Sequence, residues 1–196
     1  MHSLTHSLTH SLTQQFSKLL LPNGDEVTRE EDEPTSDTLL HAVDQAFENG
    51  QIAVSDMDSA PITFAGYGEP LLRPDLLCNT AQLIKERRHG VPLRVKTLGL
   101  VSMDKATDVA SELKDSGIDL ISIGLHANNP PQYKSIVHPL GKEGFGEVCS
   151  FIIACVEAGL EVECQAVETP GVNVSDVRKL ALSLGAHHFT TQSFHQ

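Results

Sequence analysis

Basic residues are scarce in this chain. Fourteen lysines and arginines stand against 26 aspartates and glutamates, a formal net charge of −12 over 196 residues. That balance argues against nucleic acid or an anionic membrane as partner, since both demand a basic face. Long apolar runs are also missing. The longest candidate, Phe151 to Val156, falls far short of the roughly 18 residues of a membrane span. The first residues lack a basic segment followed by an apolar core, so no secretory signal is expected and the cytoplasm is the default compartment. The four cysteines, Cys78, Cys149, Cys155 and Cys164, form no CxxC pair. A disulfide framework is therefore not expected, and buried free thiols are the plain reading.

Hydrophobic residues make up 40% of the chain, enough for one soluble domain with a true core. Residues 2–13 are HSLT three times over. On a helix His2, His6 and His10 would share a face suited to metal, but serine and threonine are poor helix interiors. Residues 1–35, this repeat followed by an acidic stretch, read as a low-complexity, disordered tail. Residues 36–196 read as the folded domain. Apolar spacing predicts helices around Leu39–Phe47, Leu76–Ile84, Ala106–Leu113, Phe145–Val156 and Val177–Leu184. Short apolar runs predict strands at Ile62–Ala65, Leu93–Thr97, Ile118–Leu125, Leu160–Val167 and His187–Phe194. Strict alternation of helix and strand implies a parallel α/β sheet, with ligands at the carboxyl ends of the strands. Open sheet and barrel share this pattern, and periodicity does not choose between them.

One loop stands out at such a strand end. Gly66, Tyr67, Gly68, Glu69 and Pro70 follow the first apolar run. Two glycines let backbone approach a ligand without a Cβ in the way. Glu69 is an acceptor suited to an ammonium group. The alternative is a structural turn with a salt-bridged Glu69. His126 follows a later strand and is a candidate acid, base or ribose contact, with a locally bonded loop histidine as the plain alternative. His138 and His195 are similarly placed. The segment NNPPQY, residues 128 to 133, reads as a rigid turn ahead of a helix.

The stretch FAGYGEPLLRPDLL resembles the second strand and loop of radical SAM proteins. LISIGLHANNPPQYKSIVHP and VECQAVETPGVNVSDVRKLALSLGAHHFTTQSFH resemble later strands of the same family in the same order. The nearest type is the TatD-linked one, over roughly residues 60–195. The resemblance implies a partial (β/α)6 TIM-like barrel, here without the first strand and cluster loop. It also implies S-adenosylmethionine as a ligand, held by Gly66, Tyr67, Gly68, Glu69, Pro70 and His126. A [4Fe–4S] cluster is expected for the family, yet CxxxCxxC occurs nowhere in the sequence. Strand ends depart from the family as well: Lys96-Thr97-Leu98-Gly99 replaces an Asn-Thr-Asn-Gly pattern, Gly124 stands where a serine meets the ribose, and Thr190 and Gln192 stand near arginine positions. The expectations are a degenerate or truncated radical SAM-like protein that retains adenosyl binding, or a non-catalytic interaction module with a small-molecule or protein partner.

Overall fold

The computed structural model describes residues 19–20, 26–27, 34–49, 61–65, 69–137 and 144–193. The chain forms two compact units, Met1–Leu93 and Arg94–Gln196.

In the first unit, strands β1 (Leu19–Leu20) and β2 (Glu26–Val27) pair antiparallel. Helix α1 runs over Ser36–Glu48. Its start is closed reciprocally, with the Thr38 amide donating to Thr35 Oγ1 at 3.2 Å and the Thr35 amide to Thr38 Oγ1 at 2.9 Å. Leu39, Leu40, Val43 and Ala46 are its buried stripe. Strand β3 (Ile62–Phe64) follows, then a 3-10 turn at Pro70–Leu72 and helix α2 (Pro74–Arg87). Pro74 suits a first turn, where its missing N–H leaves nothing unpaired. Helix α1 packs on α2. Asp44 takes Arg87 at 2.8 Å and Arg88 at 2.7 Å, and the Arg88 guanidinium stacks 4.0 Å from the Phe47 ring centre. Arg88, first among these neighbours, holds the Asp44 carboxyl below its usual range.

The second unit is built on β4 (Leu93–Thr97), β5 (Leu120–Gly124), β6 (Glu161–Glu168) and β7 (His188–Ser193), paired parallel in that order. Helices α3 (Ala106–Asp115), α4 (Pro130–Val137), α5 (Phe145–Glu157) and α6 (Val174–Ser183) complete it. Helix α5 packs on β5 and β6, α6 packs on β6 and β7, and α3 and α4 lie beside α5.

The strands divide their faces by parity. Val95, Ile121, Ile123, Val162, Cys164 and Ala166 are fully buried on the helix side. The other side carries Arg94, Lys96, Ser122, Glu163 and Gln165. Helix α4 corrects the reading of NNPPQY as a turn. Asn129 Oδ1 accepts the Gln132 amide at 3.0 Å and caps the helix, and the two prolines occupy the first turn. Its Tyr133 is buried, tilted against Phe145 at 5.9 Å. Among the described residues, no helix is long and apolar enough to cross a membrane.

Candidate functional site

Of the sequence-predicted binding residues, Gly66, Tyr67 and Gly68 lie outside the described residues, as do His138 and His195. Glu69 and Pro70 are described, in the first unit. Glu69 Oε1 accepts the Leu71 amide at 3.1 Å and so caps the 3-10 turn that Pro70 begins.

His126 is in the second unit, two residues beyond the end of β5. Its ring folds back over the strand. A Cβ at Gly124 would stand 2.8 Å from His126 Nε2 and 3.4 Å from a Leu98 methyl. Gly124 is thus the empty space that the imidazole fills. Ser122 and Gly124 share one side of β5, so the ring lies over the polar face. Among the described residues, His126 Nδ1 is buried without a hydrogen-bond partner. Burial, and then the charge of Lys96, push the His126 pKa down.

Sequence reasoning missed the rest of this face. Lys96, Ser122, Glu163 and His188 lie in one row across the four strands. Glu163 is its hub. Ser122 Oγ donates to Glu163 Oε2 at 2.6 Å, Gln165 Nε2 to the same oxygen at 3.1 Å, and Thr190 Oγ1 to Oε1 at 2.9 Å. Arg94 stands 4.0 Å away. Burial pushes the Glu163 pKa up, but the bonds from Ser122 and Thr190, the Arg94 charge and the Gln165 bond outweigh it and hold the carboxyl below its usual range. The signal was present in EVECQAVE, where polar residues alternate with apolar ones.

The strand ends are shaped by a second turn. Thr97 Oγ1 accepts the Gly99 amide at 2.9 Å, and Gly99 has φ +69°.

The four cysteines do not fit a cluster site. Cys155 and Cys164 are fully buried, on α5 and on the helix side of β6. Burial and then Cys164 drive the Cys155 thiol far up; burial, then Cys149 and Glu163, push Cys164 up to about 12. Burial also raises Cys149. Two of the four are thus committed to the packed layer between helix and sheet. Cys155 on α5 and Cys164 on β6 belong to elements that pack on each other. Even so, no group of three or more His, Cys, Asp or Glu among the described residues is arranged to hold a metal ion.

A sequence model of the radical SAM superfamily matches residues 26–184. The chain belongs to that superfamily. It is 30% identical over 125 residues to GTP 3',8-cyclase of a Picosynechococcus species, a match covering 62% of this chain and 36% of the cyclase. It is 28% identical over 127 residues to an uncharacterized protein of Methanocaldococcus jannaschii, covering 65% of this chain and 41% of that protein. The chain thus spans well under half the length of these relatives. Among solved structures, HydG, a maturase of the [FeFe]-hydrogenase, superposes with a TM-score of 0.59 at 13% identity over 86% of this chain and 37% of HydG. The radical S-adenosylmethionine methyltransferase TsrM of Kitasatospora setae gives 0.50 at 16% identity over 82% of this chain and 31% of TsrM. The α/β fold of the radical SAM partial barrel is therefore that of this chain.

Proposed function

We propose that this chain is a radical SAM barrel body, of the TatD-linked type, that binds S-adenosylmethionine or a related adenosyl compound. With its own four thiols it does not perform the family's reductive cleavage. One observation carries this reading: the sequence GYGEP stands in a superfamily member that has no CxxxCxxC, and two of its four cysteines, Cys155 and Cys164, are buried. A cluster would supply the electron for cleavage, and the CxxxCxxC that would hold it occurs nowhere in the sequence. The family setting favours a small-molecule substrate in a cytoplasmic protein, with neither nucleic acid nor membrane as partner.

What the chain's own residues contribute is binding. Glu69, set by its cap to the Leu71 amide, offers a carboxylate to the α-ammonium of the ligand. Equilibrium dialysis with S-adenosylmethionine and S-adenosylhomocysteine tests it. E69Q keeps a carbonyl oxygen for the Leu71 amide but loses the charge. Loss of one charge-assisted bond of about 1.5–3 kcal/mol weakens binding by about tenfold or more. Iron is counted in parallel after anaerobic reconstitution. A stoichiometric four-iron cluster overturns the inactive reading. Absence of any adenosyl binding overturns the ligand and leaves the interaction module.

A further inference from the structure

We propose that Gln132 of α4 is a positioning residue for the adenosyl site: its side-chain amide latches the loop after β5, which carries His126, to the loop after β6. This rests on the ligand-binding reading above and deepens it, because it names what sets two neighbouring strand-end loops in one arrangement.

Each loop is stiff on its own. The loop after β6 turns at residues 169–172. The Val172 amide donates to the Thr169 carbonyl at 3.1 Å, Pro170 takes the second position, and Gly171, with φ +85°, takes the third. That is the pattern of a type II turn. The Thr169 amide donates to the Val167 carbonyl at 2.8 Å, so the turn is fixed to the end of its strand. The loop after β5 runs over residues 125–129. The Leu125 amide donates to the Gln165 carbonyl at 2.8 Å, and the His126 ring lies back over Gly124. Asn129 Nδ2 donates to Asn128 Oδ1 at 2.7 Å, while its own Oδ1 holds the Gln132 amide.

Gln132 joins the two. Its Oε1 accepts the Asn128 amide at 3.2 Å, and its Nε2 donates to the Gly171 carbonyl at 3.2 Å, 39 residues along the chain. The demands at the two ends are opposite. A peptide N–H needs an acceptor and a peptide carbonyl needs a donor. A primary amide meets both, and turned over it would meet neither. Among the described residues, no atom comes within 4 Å of where a Gly171 Cβ would stand. The Gln132 bond, and not packing at that residue, therefore holds the tip of the turn.

The position gives the latch its function. In parallel α/β folds a ligand lies between the loops at the carboxyl ends of neighbouring strands. His126, the candidate ribose contact, is two residues from Asn128. A ligand touching His126 meets a loop that Gln132 sets through Asn128, and small displacements of a positioned group are costly. The coupling is reciprocal: a ligand that fixes the His126 loop also fixes the turn at Gly171.

The test uses the full chain, labelled with nitrogen-15, at pH 7, with S-adenosylmethionine as probe. Q132E keeps an acceptor for the Asn128 amide but sets an oxygen against the Gly171 carbonyl. Q132M keeps the length and loses both bonds. Asn128 amide exchange should stay slow in Q132E and quicken about three- to tenfold in Q132M. The Val172 amide, on the peptide whose carbonyl belongs to Gly171, should move in both variants. Added S-adenosylmethionine should shift Asn128 and Val172 in the parent, and Asn128 alone in Q132E. Equilibrium dialysis should show Q132M binding about three- to tenfold more weakly than the parent. A Q132M protein that binds like the parent overturns the proposal, as do unchanged Asn128 exchange in Q132M and a Q132E protein in which both amides still answer the ligand. A parent that binds no adenosyl compound overturns the ligand reading itself, an outcome distinct from a parent that binds and a latch that does not matter.

Discussion

Two glycines of the second unit offer the same distance and opposite outcomes. At Gly99 a Cβ would stand 2.8 Å from Ile123 Cγ2, and at Gly124 2.8 Å from His126 Nε2. G99A faces two costs. Its φ of +69° lies in the left-handed region, which costs alanine about 1–2 kcal/mol. The clash falls on a β-branched side chain that is fully buried, and forcing an extra methyl into such packing costs about 1–3 kcal/mol. The sum is about 2–5 kcal/mol. For a chain of this size each kcal/mol moves the melting temperature by about 2–4 °C. G99A should therefore melt at least about 4 °C below the parent, and about 10 °C below at the middle of the range. G124A meets the tip of an imidazole and, at 3.4 Å, a methyl of the exposed Leu98, both ends of side chains that can shift, and its backbone is not in the left-handed region. Alanine in a strand regains about 0.5–1 kcal/mol over glycine. G124A should stay within about 1 kcal/mol of the parent while the His126 ring resonances move. Thermal melts by circular dichroism, paired with ring NMR, read both. A silent G99A, or a G124A as damaging as G99A, would refute the reasoning that the identity of the contacted atom sets the cost.

Two further outcomes follow from the buried groups. Glu163 is held below its usual pKa, so its contribution to stability is complete above the unfolded value near 4.5 and is lost as pH falls through the folded value. E163Q should flatten the stability–pH curve in that acid window and cost about 1–3 kcal/mol at neutral pH; an unchanged acid limb in denaturant titrations would sink this. His126 adds a limb of the same sign just below 6.5, because its folded pKa is also depressed. For the thiols, Cys155 and Cys164 should resist iodoacetamide at pH 8 in the native chain, while Cys78 and Cys149, which are partly exposed, react first. Peptide mass mapping reads the order, and early labelling of Cys164 would contradict it.

Much of the element order was legible because the signals were local. The alternation in LRVKT gave β4 with its observed bounds, and the apolar stripes gave α1, α2, α3, α5 and α6 to within a few residues. Helix α4 was not legible, because two adjacent prolines read as a turn; only the cap from Asn129 shows that they open a helix. The 3-10 turn after Glu69 was hidden in the same way: backbone bonds from Leu72 to Glu69 at 3.0 Å and from Arg73 to Pro70 at 3.2 Å close it, and the Glu69 carboxylate caps the Leu71 amide. The polar face was missed for a different reason. Ile118–Leu125 reads as one apolar strand, yet Ser122 in its middle is 1% exposed and bonded to Glu163 on the next strand. Cross-strand partners are set by register, and register is a tertiary fact. His126 was found as a strand-end residue. That its ring folds back over Gly124 follows only from three-dimensional packing.

The same parity that builds the polar face keeps the thiols away from it. On β6, Glu163 and Gln165 point to the polar side, so Cys164 between them must point to the helices. A one-residue slip would bring Cys164 to the polar side, but it would also send Val162 and Ala166 out of the core and bury Glu163, Gln165 and their bonds. Burying the Glu163 charge without its donors would cost several kcal/mol, more than one thiol contact could return. Cys155 is bound by a similar constraint, since it is fully buried on α5 in the layer that packs on β5 and β6. The chain therefore cannot recruit Cys155 and Cys164 to a strand-end site by small adjustments. A cluster at the ends of these strands would need ligands other than Cys155 and Cys164.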